Sequence, residues 1–194
     1  MRLLGPVTRL QIQTDSLKRG EKPHQWYDPA ALLVVDELHL DRQGASVKGP
    51  EGSMLLDVHH LSHPATKQTP GKNPLSLGFT HHYGLMREHF GSTVADGVAG
   101  ENLIVDNTDR IALEALQGGV VIRSRTTGRL LGLQNLSVAH PCRPFSLFAL
   151  GGTVEPEALK ETLRFLDGGM RGFYMVAEGE DSFTVRLGDE VFAA

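Results

Sequence analysis

Short apolar runs recur along the chain roughly every eight to twelve residues, and nearly every gap between them holds a glycine or a proline. That spacing, with 22 glycines and 10 prolines in 194 residues, leaves little room for long helices and favours short strands joined by turns. Residues 3–13 alternate loosely through Leu4, Val7, Leu10 and Ile12, and 31–40 read as an apolar run passing into alternation at Leu38 and Leu40. A short strand is expected at 45–48, and 54–61 would place Leu56, Val58 and His60 on one face. The runs 120–124 and 130–138 look like a hairpin turning near Thr127-Gly128. Residues 101–105 and 173–177, then Phe183, Val185 and Leu187, and finally Val191-Phe192 complete the strand candidates. The stretches 14–29 and 62–78, the second with Pro64, Pro70 and Pro74, read as loops.

Two segments carry the helical period instead. Phe79, Tyr83, Met86 and Phe90 share one face of a helix that Thr80 would cap and Gly91 would end. Glu155-Pro156 opens a second, with Leu159, Leu163 and Leu166 as its buried face and Gly168 as its stop. A single helical turn is expected at 113–116, before Gly118-Gly119. Strands that do not alternate with helices disfavour a doubly wound sheet, so the expected class is mainly β, a barrel-like core carrying a few accessory helices.

Apolar residues make up 40% of the chain and charged residues 22%, the profile of one ordinary globular domain over 1–194. The longest apolar run, 30–35, is far too short for a membrane span, and Met1-Arg2-Leu3-Leu4-Gly5-Pro6 lacks the apolar core of a signal peptide. A net charge of −4 argues against broad nucleic-acid binding. One cysteine cannot close an intrachain disulfide, and the cytoplasm is the expected compartment.

That cysteine, Cys142, lies in Ala139-His140-Pro141-Cys142-Arg143-Pro144-Phe145, at the end of an apolar run. Two prolines fix their own φ and lack donors, so a rigid bend is expected. Arg143, and His140 when protonated, would favour the thiolate, the form that attacks electrophiles and binds metals. Against this stands the tendency of a free cysteine to be a small packed hydrophobe. No protease signature surrounds it.

The histidines His59, His60, His63, His81, His82 and His89 invite a zinc reading, but there is no HExxH and no second cysteine, so they read as surface or loop residues. The run Gly97-Val98-Ala99-Gly100-Glu101-Asn102-Leu103 has neither P-loop nor dinucleotide-fold spacing. It puts polar Glu101 and Asn102 where strand pairing should begin. Asp167-Gly168-Gly169-Met170-Arg171-Gly172 is either a helix stop with a turn or a set of amides facing an anion beside Arg171. Arg123, Arg125, Arg129 and Arg143 cluster in sequence around the cysteine, as an anionic ligand would require or as a solvated hairpin end would show.

Taken in order, Gly97-Val98-Ala99-Gly100-Glu101-Asn102-Leu103, Pro141-Cys142-Arg143-Pro144-Phe145, Gly169-Met170-Arg171-Gly172-Phe173-Tyr174-Met175-Val176 and Gly188-Asp189-Glu190-Val191 resemble the MOSC domain, the module named for the C-terminal part of molybdenum-cofactor sulfurases. The resemblance covers about 78–194. The first 75 residues match poorly, with Leu40-Asp41-Arg42 nearest to the early Gly-Asp-basic element. It implies a β-barrel-like fold with a cleft holding Cys142, molybdenum cofactor as the bound group with Cys142 as metal ligand, and two-electron reduction of N-hydroxylated substrates fed by a separate reductase. It also implies that Gly100, Glu101 and Asn102 line the cleft while Arg123, Arg143 and Arg171 hold the anionic pterin phosphate. The alternatives are a persulfide carrier on Cys142, served by a sulfur donor, and a non-catalytic binding domain with an inert cysteine. Pyridoxal phosphate is not expected, since it belongs to a separate domain of the large sulfurases.

Overall fold

The computed structural model describes residues 1–67, 74–152, 154–179 and 181–194. In chain order its strands are β1 (Arg2–Gln13), β2 (Lys18–Arg19), β3 (Trp26–Tyr27), β4 (Leu32–Val35), β5 (Glu37–Asp41), β6 (Gly44–Lys48), β7 (Met54–Leu56) and β8 (Leu75–Phe79). After helix α1 (Thr80–Phe90) come β9 (Leu103–Val105), β10 (Val120–Arg123) and β11 (Leu130–Val138), then α2 (Arg143–Ala149) and α3 (Pro156–Leu166). Strands β12 (Phe173–Ala177), β13 (Phe183–Arg186) and β14 (Glu190–Ala193) finish the chain. Strand outweighs helix, 36% against 21%, so the class is mainly β, as the turn spacing predicts.

Seven strands close a barrel in the order β14-β10-β11-β12-β8-β9-β1, and β14 pairs back onto β1. All these pairings are antiparallel except β8 with β9, which are joined through α1. Strand β4 adds to β1 beyond the part that β14 covers. A second sheet, β13-β5-β6-β7, packs through Leu38, Leu40, Ala45, Val47, Phe183 and Val185 into the same core as the barrel.

The period-2 alternation of a strand sorts side chains between the barrel interior and the outside layer. In β9, Leu103 and Val105 join the barrel core, whereas Ile104 packs with α1, α2 and the 94–99 loop. In β12, Phe173 and Met175 point inward and leave Tyr174 on the outer face. The functional cleft lies on this outer face, so the alternation decides which residues reach it.

Sequence expectations are corrected at the following points. The run 31–40 is two strands that part at Asp36 and enter different sheets. The run 54–61 keeps strand geometry only to Leu56, because the Asp57 carboxylate, fully buried, turns the chain by accepting from the backbone N–H of Gln13 and His59. Residues 75–78, read as loop, and Phe79, read on the helix face, form the buried β8, and 143–149, read as leaving a bend, form α2. The expected loop 62–78 otherwise includes 68–73, which lie outside the described residues, Pro70 among them. Thr80 does not cap α1: Phe79 holds that position, and the Thr80 hydroxyl donates to Asp106 at 2.8 Å.

His82 is not solvated. It is 1% exposed, with its ring beside Phe79 and Phe173, and its Nε2 accepts from the Ile111 N–H at 2.9 Å. Burial, with Arg110 and His81 adding to it, pushes its pKa down from 6.5 to about 4. The fold therefore favours the neutral ring. Its contribution is present above pH 6.5 and is lost as pH falls from 6.5 towards about 4. The full loss is ~3 kcal/mol from the size of that shift. Denaturant melts between those pH values will show this slope, and His82→Phe will flatten it while leaving the Ile111 N–H without its acceptor. An unchanged slope in the variant would remove His82 as its source.

Candidate functional site

Cys142 stands at the entry to α2 in extended geometry, φ −126° and ψ 148°, and its carbonyl accepts from both the backbone N–H and the hydroxyl of Ser146. Pro144 in the first turn fits a helix start, where an N–H is not needed. Phe145 is fully buried and pins the helix: the Tyr27 ring meets it edge-on at 5.1 Å, and the Tyr27 hydroxyl donates to the Val98 carbonyl at 2.8 Å. Local sequence thus sets a stiff backbone, and aromatic packing fixes where it sits. The thiol is partly exposed.

Arg171 organises this corner. Its guanidinium donates to the Ala99 carbonyl at 3.1 Å, to the His140 carbonyl at 3.4 Å and to Cys142 Sγ at 3.8 Å, and lies over the Phe145 ring at 4.4 Å. The residue is 8% exposed and forms no ion pair among the described residues. Its Nε is buried with no hydrogen-bond partner. Burial works against its charge, but Cys142, Tyr27, Tyr174 and Glu101 outweigh burial and hold its pKa above the ordinary value. It remains a cation in contact with the sulfur. Gly172 makes the placement feasible: at φ +84°, a Cβ would lie 2.2 Å from the Leu77 carbonyl oxygen, so only glycine lets this turn press against β8.

Glu101 lies on the opposite wall, 3% exposed. Its Oε2 accepts from the Tyr83 hydroxyl at 2.6 Å, the same hydroxyl accepts from the Ala99 N–H at 3.1 Å, and Oε1 has no partner. Burial pushes its carboxyl above the usual range, opposed in part by the Tyr83 hydrogen bond. A continuous set of contacts therefore runs from Glu101 through Tyr83 and the Ala99 peptide to Arg171 and the sulfur. Asn102 faces inward: its side chain joins the backbone of Ser76 and Gln11 to the Asp57 carboxylate. Its polarity at a strand start, unexplained in the sequence, is that of a latch between β1, β8 and the Asp57 turn.

Between these walls opens a cleft of 380 Å³, within the usual range for small-ligand pockets. Its lining includes Tyr27, Gly100, Glu101, His140, Arg171 and Tyr174. Gly100, at φ +99°, brings the backbone close to Gln13, whose amide donates to the Gly100 carbonyl at 2.7 Å. Cys142 does not itself line the cleft; its sulfur touches Arg171, which does. Of the other residues singled out in sequence, Arg143 is exposed and donates to the Pro23 carbonyl at 3.1 Å. Arg123 lies on β10, ion-paired with Glu190 at 2.5 Å and stacked on Phe192, and is not in the cleft. Among the described residues, no group of three or more His, Cys, Asp or Glu converges as metal ligands.

Sequence reasoning missed the part played by residues 14–28. This segment forms the outer wall, and β2 and β3 pair within it to present Lys18, with Lys22 and Gln25 beside the opening. Its only sequence signal was polarity, which also fits an ordinary loop.

No family model and no curated protein matches the chain. Solved structures do. The YuaD protein from Bacillus subtilis superposes with a TM-score of 0.55 at 15% identity over 98% of this chain and 93% of that one. A protein described as hypothetical gives 0.54 at 14% identity, over 98% and 67% of the two chains. YiiM from Escherichia coli gives 0.51 at 16% identity over 84% of this chain and 64% of its own.

Replacing Arg171 by Met will leave the Ala99 and His140 carbonyls without their donor and cost about 2–4 kcal/mol in a denaturant melt. The same variant will slow iodoacetamide alkylation of Cys142 at neutral pH in folded protein, whereas Arg171→Lys will retain part of the rate. Equal rates in all three proteins would show that the guanidinium does not act on the sulfur. For Glu101, the raised pKa means that stability is full below about 4.5 and lost as pH rises through the folded value. Glu101→Gln cannot ionise, so its melting temperature will gain on wild type as pH rises above about 4.5. A constant difference would place the ionisation elsewhere.

At these identities the likeness to YuaD and YiiM is one of fold.

Proposed function

We propose that this protein binds molybdenum cofactor in the cleft, with the Cys142 sulfur as a protein ligand to the metal, and reduces N-hydroxylated small molecules. The observation that carries the reading is the Arg171–Cys142 contact at 3.8 Å, made by a residue in the wall of a 380 Å³ cleft. It joins a soft donor held on stiff backbone to a buried cation in the cleft wall.

The cleft fits the group in size and charge, and the Cys142 sulfur lies behind its wall in contact with Arg171. The cleft has room for a small cofactor and its lining is rich in cations. No protein side chains stand ready to complete a metal site with Cys142 among the described residues, which suits a metal whose remaining donors come from its own cofactor. When bound, the cofactor supplies the two-electron redox centre. The chain's own groups do the rest: Arg171 steadies the sulfur, and Gly100, Tyr27 and Tyr174 line the cleft that would receive the ligand. Reduction breaks the N–O bond, consumes two electrons and two protons, and releases an amine and water; the electrons come from a separate reductase.

The same contact supports a second reading, in which Cys142 accepts a sulfane sulfur from a donor persulfide and carries it. Protein made in a cofactor-competent host decides between them. Stoichiometric molybdenum that disappears in Cys142→Ser is expected. Absence of molybdenum, together with a wild-type mass raised by one sulfur atom, would replace the first reading with the second. Absence of both, with a thiol that resists alkylation, would leave a binding domain with an inert cysteine.

A further inference from the structure

The three arginines that the sequence offered as anion holders are all engaged elsewhere. Arg123 pairs with Glu190, Arg143 reaches the Pro23 carbonyl, and Arg171 clamps two loops and the sulfur. The cleft is cationic all the same. Lys18 and Lys22 enter it from the outer wall and Lys67 from the 65–67 segment, and none of the three takes part in an ion pair among the described residues. Against these lysines and Arg171, the lining contains one acidic side chain, the buried Glu101. A protein with a net charge of −4 thus gathers positive charge free of ion pairs, among the described residues, in this cleft. Such a cleft focuses field and draws in anions.

The outer wall that carries two of the lysines is anchored. Tyr27 is held to Val98 and packs on Phe145 and Phe148, the Asp28 N–H donates to the Leu17 carbonyl, Arg19 pairs with Asp15, and Pro23 receives Arg143. The lysine side chains are exposed and their backbone is fixed, so each ammonium can swing on a flexible stem to meet an oxyanion. Deeper in, Glu101 Oε1 and Arg171 Nε are buried without partners on side chains more than nine-tenths buried, which marks the floor as a polar site rather than a packed one.

We propose that Lys18, Lys22 and Lys67 form an anion seat at the rim of the cleft and that the ligand carries a phosphate-type group held there. The seat stands on the cleft's charge alone and does not depend on the metal reading. The group belongs either to the cofactor or to a phosphorylated substrate, and the two sources are separable.

The test is calorimetric titration of the full-length, metal-free protein with inorganic phosphate and pyrophosphate. Saturable binding is expected, weakened about tenfold or more by Lys18→Gln with Lys22→Gln, and weakened as salt rises from about 0.05 to about 0.5 M. Lys160→Gln, far along α3 and paired with Glu157, serves as the charge control and should bind as wild type. No saturable binding, or binding that the double substitution leaves unchanged while melting temperature is unaltered, overturns the seat. Repeating the titration on cofactor-loaded protein assigns the source: loss of phosphate binding gives the seat to the cofactor, and retention gives it to the substrate. Molybdenum content measured in parallel keeps the two ideas apart. Molybdenum in the loaded protein with no phosphate binding by the metal-free protein sinks the seat alone, and phosphate binding by the metal-free protein with no molybdenum in the loaded preparation sinks the metal reading alone.

Discussion

The buried guanidinium of Arg171 is the interaction on which this corner of the molecule depends. It meets the carbonyl of Ala99, the carbonyl of His140 and the sulfur of Cys142, and it lies on the face of Phe145. A charge removed from water this thoroughly persists only where dipoles and polarisable groups replace hydration. Here two peptide carbonyls, a thiol and an aromatic face do so without a carboxylate. Most of its hydrogen-bonding capacity goes to structure, which is why its presence near the thiol need not make it a phosphate ligand.

The geometry follows from the barrel. Strands β8 and β12 run side by side, and Gly172 lets the turn before β12 sit against the Leu77 carbonyl. That fixes where Arg171 leaves the sheet. The Tyr83–Glu101 pair then sets the Ala99 peptide at the distance the guanidinium needs. Asp57 and Asn102 lock β1, β8 and the 57–59 turn behind the cleft, with both carboxylate oxygens of Asp57 accepting hydrogen bonds. Stability and site therefore share residues. Asp57 and Asn102 are satisfied by hydrogen bonds, whereas Glu101 Oε1 and Arg171 Nε are buried without partners.

Much of the fold was legible because alternation and turn residues are local. The hairpin of β10 and β11, helix α3 after Pro156 and the closing strands follow from period and punctuation alone. The misread segments share a cause. The β8 segment is buried along its whole length and shows no alternation, and α2 is short and apolar on most sides, so neither carries a period to detect. Likewise His82 has the polarity of a surface residue, and only its contacts with Phe79, Phe173 and Ile111 make it a core group.

By itself the sequence determined a mainly β chain with a lone cysteine on stiff backbone, and it named Gly100, Glu101 and Arg171 as residues of interest. These are properties of single segments: alternation, proline, and polar residues set where a strand should begin. Tertiary structure decided which of the named residues meet. It brought Arg171 to the sulfur, sent Arg123 to Glu190 on the far strand pair, turned Asn102 inward as a latch, and supplied the cleft's free cations from residues 14–28 and 65–67. The physical reason is that charge and polarity are written in the chain, but distance is set by barrel closure and by the packing of aromatic anchors against it.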